Sequence, residues 1–245
     1  MSKLKVATIS YLNSIPFVYG LENSSLDLDI KLDIPSNCAK KLLEGEVDLA
    51  LVPVAILPML REYYIIGESC IGANGKVETV CLYSDVPLNQ IDTILLDYHS
   101  KTSVQLLKVL CNKYWKINPK FIETSSGFEQ KINGKVAGLI IGDRAYNYHN
   151  QYKNMFDLSE HWKQFTGLPF VFACWVSKTK FSDEIVSQFD KAIKYGLNNL
   201  DAALEKKSKQ FNTTIDKKKY LTEIISYQLS QKKKEALNLF LSFIK

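Results

Sequence analysis

Residues 27–54 read DLDIKLDIPSNCAKKLLEGEVDLALVPV. Their first part alternates apolar and charged side chains with a period of two, the pattern of a half-buried strand. Pro35 and Ser36 then open a helix, Leu42 and Leu43 turn inward, and Gly45 supplies the stop. The strand Val47–Val52 follows within a few residues. Strand, helix and buried strand in quick succession are the βαβ rhythm of a parallel sheet, which places the chain in the α/β class.

The rhythm continues to either side. KVATISYLNSIPFVYGL (Lys5–Leu21) opens as a buried strand through Val6, Ala7 and Ile9, then breaks into Ser10, Tyr11, Asn13 and Ser14 before Pro16. TVCLYSDVPL (Thr79–Leu88) is a strand with an abrupt polar end. TILLDYHSKTSVQLLKVLCNKYW (Thr93–Trp115) reads as strand, loop and helix, with Val104, Leu107, Cys111 and Tyr114 on one face and Ser100 or Thr102 as N-cap. NPKFIET, KVAGLIIGD and LPFVFACWVS are further strands. From Ser182 onward three apolar stripes (Ile185 to Leu200, Leu221 to Leu229, Leu237 to Ile244) predict helix throughout. Crossover strands at Val80–Ser84 and Phe170–Val176 would let the chain leave one lobe, build a second and return. The expectation is a two-lobed clamp with a cleft, one lobe from residues 1–84 and 176–245 and the other from 85–175.

The chain has 245 residues, enough for one large α/β unit or two lobes. Its formal charge is +5, and residues 201–245 alone hold ten lysines against five acids, so the excess is a property of the tail. The runs Lys217–Lys219 and Lys232–Lys234 read as solvated helix ends. With two arginines only, Arg61 and Arg144, a nucleic-acid partner is not expected. The five cysteines are scattered in apolar surroundings, as reduced core residues of a cytoplasmic protein are. The three histidines show no metal-ligand spacing, so neither a metal nor another cofactor is expected. No segment approaches the ~20 apolar residues of a membrane span, and the N-terminal apolar run breaks too early for an export signal. No pattern marks an oligomeric state.

Ligands of open α/β sheets bind outside the carboxyl ends of the strands. Four polar strand ends therefore compete as sites: Ser10–Ser14, Thr79–Ser84, His99–Ser103 and Gly142–Asp143. HSKTS (His99–Ser103) joins hydroxyls to the free N–H groups of a helix start, which makes either an anion site or a plain N-cap. Asp143 is a general base, a ligand for a substrate hydroxyl, or a helix cap; His99 is an acid–base group or a loop histidine in water. Trp162, Phe165, Phe170, Phe172 and Trp175 serve hinge and core, or form a wall for a planar ring.

Taken in order, ISYLNSIPFVYGLE, GEVDLALVPV, NGKVETVCLYSDVPL, HSKTSVQLLKVL, LIIGDRA and HWKQFTGLPFVFACWV resemble the chorismate dehydratase family of the futalosine route to menaquinone. The resemblance runs from Lys5 to Val176 and more loosely through the tail. It implies the two-lobed type II periplasmic-binding-protein-like fold and a carbon–oxygen lyase. The implied reaction is the first step of futalosine-dependent menaquinone biosynthesis, the dehydration of chorismate to 3-(1-carboxyvinyloxy)benzoate. The Asn of the family's SYLN motif falls on Asn13 and the Ser of its GPV-x-S-V motif on Thr79, which implies catalytic roles for both. Thr79 stands where Ser is usual and Lys76 where Pro is usual. Substrate-binding roles are implied for Ser10 and Tyr11, for Ser100, Thr102 and Ser103 at the helix start, for Gly142 and Asp143 of IGD-x-A, and for Gly167 of TGLPFVFA.

Aromatisation of the ring drives such a dehydration, so the enzyme has chiefly to orient the substrate, assist proton removal and stabilise developing charge. The base is the substrate's own side-chain carboxylate, Asp143 or His99. Three other readings share the pattern: a carboxylate-binding protein without chemistry, which would carry an export signal; a ligand-sensing regulator, which would carry a helix-turn-helix; and the related 1,4-dihydroxy-6-naphthoate synthase, whose start motif differs from SYLNSIP.

Overall fold

The computed structural model describes residues 3–211 and 213–244. In chain order the elements are β1 (Leu4–Ile9), α1 (Ile15–Glu22), β2 (Leu28–Asp33), α2 (Pro35–Glu44), β3 (Leu49–Pro53), β4 (Tyr64–Ala73), β5 (Val80–Ser84), β6 (Thr93–Leu96), α3 (Lys101–Val109), β7 (Lys120–Glu123) and β8 (Val136–Ile141). There follow β9 (Asn154–Asp157), α4 (Leu158–Thr166), β10 (Phe170–Ser177), α5 (Asp183–Asn198), α6 (Leu200–Lys207), α7 (Lys217–Lys219), β11 (Ser226–Gln228) and α8 (Gln231–Ile244). Pro35 occupies the first turn of α2, where its missing N–H costs nothing, and Gly45 ends that helix at φ 76°. β1 therefore receives β2 and β3 as parallel neighbours, as the quoted stretch requires.

The strands form two sheets, β11-β4-β10-β3-β1-β2 and β7-β6-β8-β5-β9, one per lobe. This is the α/β, two-lobed arrangement expected, but the crossovers lie elsewhere. Val80–Ser84 pairs on both sides within the second sheet, with β8 and β9. Phe170–Ser177 pairs with β3 and β4 in the first. The chain thus leaves the first sheet through residues 74–79 and returns through 167–169, and we place the lobe boundaries in those loops rather than at 84/85 and 175/176. An apolar strand buried on both faces carries no local mark of which sheet it joins; long-range backbone pairing decides that.

The tail also departs from the uniform helix expected. Helix gives way after Ile224 to β11, which pairs with β4 at the edge of the first sheet. Ile225, Tyr227 and Leu229 alternate with polar residues, so this stretch satisfies a period of two as well as a helical stripe. The aromatic residues between the lobes belong mainly to the core: Trp162 meets Phe170 and Phe240, and Trp175 meets Phe17 and Phe189.

Both crossovers are fastened to α4. Asp157 caps that helix by accepting from the Ser159 and Glu160 amides at 3.0 and 3.1 Å, while its other oxygen accepts from Val77 and Glu78 at 2.9 and 2.7 Å. Farther along α4, the Trp162 indole donates to the Pro169 carbonyl at 3.0 Å. Asp157→Ala uncaps α4 and strands two loop amides, and is expected to lower unfolding free energy by about 3–5 kcal/mol in urea melts. Asp157→Asn, which keeps one acceptor oxygen, is expected to lose about half as much.

Candidate functional site

The polar strand ends meet because of strand direction. The carboxyl ends of β1, β6 and β8 lead into residues 10–14, 97–103 and 142–143. β5 runs antiparallel to β8, with Val80 opposite Ile141, so its beginning rather than its end lies at this edge. The Gly142 amide donates to the Thr79 carbonyl at 2.9 Å and locks that junction. A cavity of about 40 Å³ results, lined by Tyr11, Asn13, Thr79, Ser100, Ser103 and Gly142 over apolar walls that include Ile9, Val77, Ile141 and Phe172.

Thr79 is buried, and its hydroxyl oxygen lies 2.8 Å from the Tyr220 hydroxyl and 3.3 Å from the Val77 carbonyl, to which it donates. Asn13 is anchored by its backbone, whose carbonyl accepts from the Tyr227 hydroxyl at 2.9 Å, and its side-chain oxygen accepts from Ser14 at 3.3 Å. Ser100 caps α3 by accepting from the Ser103 amide at 3.4 Å. Gly142 holds φ 75°, and a Cβ there would come within 2.8 Å of the Tyr11 ring, so glycine is required for Tyr11 to reach the cavity.

Other expected site residues are placed differently. The Thr102 hydroxyl is fully buried and accepts from the Ala55 amide at 3.0 Å, a bond between the lobes. Ser10 lines a neighbouring groove with Ile15, Lys207 and Phe211. Gly167 is the exposed left-handed cap that ends α4. Asp143 does not cap the short helix it starts; one oxygen reaches across to accept from the Leu12 amide at 2.9 Å. Its other oxygen is buried and without a hydrogen-bond partner among the described residues. Burial raises the Asp143 carboxyl to about 6, against the opposing Leu12 bond. His99 bonds the Tyr11 hydroxyl through Nδ1, and burial together with the nearby Arg144 lowers it to about 4, so its ring is neutral.

Local sequence gave no sign of several groups that build the site. Arg144 bridges Asp97 and Glu129, and Asp97 also accepts from the His99 and Ile141 amides at 2.8 and 2.9 Å, fixing the loop before α3. Tyr220 and Tyr227 come from the tail, where Tyr220 follows a run of three lysines and no local pattern sets it apart. Among the described residues no group of three or more His, Cys, Asp or Glu is placed to hold a metal, and no helix is long and apolar enough to cross a membrane.

A family model described as menaquinone biosynthesis matches residues 4–245. The chain is 29% identical over 250 residues to a chorismate dehydratase of Campylobacter jejuni, covering 97% of this chain and 96% of that protein. It is 27% identical over 197 residues to one of Thermus thermophilus, covering 72% of each. Among solved structures, a protein of Archaeoglobus fulgidus superposes with a TM-score of 0.77 at 14% identity, over 98% of this chain and 96% of that one. A Candida albicans protein described as having the generic periplasmic binding protein fold superposes with a TM-score of 0.69 at 13% identity, over 98% and 90%.

The raised Asp143 carboxyl fixes the sign of a stability effect. Folding favours its protonated form, so the ionisation penalty is absent at pH values below the ordinary carboxylate pKa and complete above about 6. Asp143→Asn keeps the acceptor for Leu12 and removes the charge. Its melting temperature is expected to exceed that of the unaltered protein by several degrees at pH 7.5, with the gain vanishing near pH 4.

Proposed function

Because the chain belongs to the menaquinone-biosynthesis family, we propose that it is a chorismate dehydratase, a hydro-lyase releasing 3-(1-carboxyvinyloxy)benzoate and water. The observation that carries this reading is the meeting of Asn13, from the first lobe, and Thr79, at the end of the crossover leaving it, on one largely apolar cavity beside the hydroxyl-lined start of α3. The curated relatives support it. The partner is then a small dianionic molecule, and the setting is cytoplasmic.

In this reading the free N–H groups and hydroxyls at the start of α3 take a substrate carboxylate. The Asn13 amide and the Thr79 hydroxyl donate to the departing oxygen, in a dry setting where such bonds are strong. The ether-carbon proton leaves with the hydroxyl and the ring becomes aromatic. Neither protein candidate for the base lines the cavity: Asp143 is turned to Leu12 and His99 to Tyr11. In this arrangement of the lobes we favour the substrate's own side-chain carboxylate for proton removal, with Asp143 and His99 as the protein alternatives once those contacts part.

Ligand pockets span roughly 300–1,000 Å³, so a cavity of about 40 Å³ has to widen before it holds chorismate. Entry of chorismate then requires parting the Tyr11–His99, Leu12–Asp143 and Ala55–Thr102 contacts.

Purified protein incubated with chorismate is expected to bleach the diene absorbance and release the benzoate; tight binding of unchanged chorismate would instead favour capture without chemistry. Asn13→Ala and Thr79→Ala are each expected to lower kcat by roughly 10²–10³-fold with unaltered circular dichroism. The plot of kcat against pH is expected to be flat through pH 6. A rise with pH centred near 6 would reassign the base to Asp143, and one centred near 4 to His99.

A further inference from the structure

Resting on the dehydratase reading, we infer that Tyr220 is a positioning residue, whose phenol fixes the direction in which Thr79 presents its hydroxyl to the substrate. Tyr220 is buried directly behind Thr79, with the two hydroxyl oxygens 2.8 Å apart, and is not among the residues that line the cavity. It acts on the reaction through its neighbours Thr79 and Asn13, without itself meeting the substrate.

A threonine hydroxyl has one proton and two acceptor sites. Thr79 faces the Val77 carbonyl, which only accepts, at a long 3.3 Å, and the Tyr220 phenol at a short 2.8 Å. Either hydroxyl can donate in the shorter bond; in the arrangement we infer the phenol donates, and Thr79 gives its own proton to Val77. That leaves the Thr79 proton in the weaker of the two contacts, from which it swings to a substrate oxygen at little cost. Accepting from Tyr220 also makes Thr79 a better donor, because successive hydrogen bonds polarise one another. Burial and the Asp143 charge keep the phenol protonated, so Tyr220 holds its proton and no transfer from it is involved.

The same stretch of tail seats the second catalytic candidate. Tyr220 opens a single wide turn, Tyr220–Ile224, after which the chain extends into β11 and brings the Tyr227 hydroxyl onto the Asn13 carbonyl. Asn13 and Thr79 are thus aimed by two phenols only a few residues apart in sequence, one from a wide helical turn of a kind found often at functional sites.

Tyr220→Phe keeps the ring and deletes one oxygen. With chorismate as substrate it is expected to lower kcat by about 10- to 100-fold with KM within about twofold, and Thr79→Ala is expected to cause no further loss in the Tyr220→Phe background. Thr79→Ser should retain activity when Tyr220 is present and lose it when Tyr220 is replaced. A wild-type kcat in Tyr220→Phe, a rise in KM alone, or losses that multiply independently would each overturn the inference. If the unaltered protein leaves chorismate intact, the dehydratase reading falls. The coupling is then judged from thermal melts of the same single and double variants: additive shifts overturn it too, and non-additive shifts preserve it.

Discussion

The carboxylate of Asp157 accepts four amide hydrogen bonds, two from the helix it caps and two from the loop that links the lobes. Its neighbourhood explains an otherwise costly backbone. Glu78 has φ 63°, a left-handed conformation worth about 1–2 kcal/mol of strain in a residue with a Cβ. It persists because both of its peptide groups are engaged, the amide by Asp157 and the carbonyl by His149 Nε2 at 2.7 Å. The next residue is Thr79, so the bond network that overrides the strain also sets where β5 begins and which way its first side chain turns.

A second buried acid does the corresponding work in the wall opposite Asn13. Asp97 is almost fully buried, yet it is paired with Arg144 and accepts two amides, so its charge is compensated. Between Asp97 and Asp157, the loops that carry Ser100, Gly142 and Thr79 are held by carboxylates that do not themselves line the cavity. Burial raises all three carboxyls, and Asp143 differs in its partners: one oxygen has a donor and the other has none among the described residues. The acids that fix the scaffold are saturated with donors, whereas the one at the closing seam between the lobes is left short.

What the sequence disclosed follows the range of the interactions. Helix starts at Pro35 and Ser100, the stop at Gly45 and the polar strand ends are local events, and residues a few positions apart reveal them. The convergence of Tyr11, Asn13, Ser100, Ser103 and Gly142 on one cavity could be read because parallel strands all point their carboxyl ends the same way. Thr79 reaches that edge for a reason local reading could not supply, since β5 is antiparallel. Thr102 belongs to the same hydroxyl cluster as Ser100 and Ser103, yet helical rotation turns it to Ala55. Tyr220 stayed hidden because its meaning lies in a contact with a residue 141 positions earlier.

The position of β10 bears on how the molecule is assembled. β10 is an interior strand of its sheet, between β3 and β4, although the whole second sheet is made before it in chain order. The second lobe is one continuous stretch and can condense from neighbouring parts of the chain as it emerges. The first cannot: until Phe170–Ser177 arrives, β3 and β4 have apolar flanks with no strand between them. Such late insertion of a central strand makes for slow folding and exposes sticky strand edges on the way, so the growing first lobe is the part of this protein most dependent on protection from aggregation during synthesis.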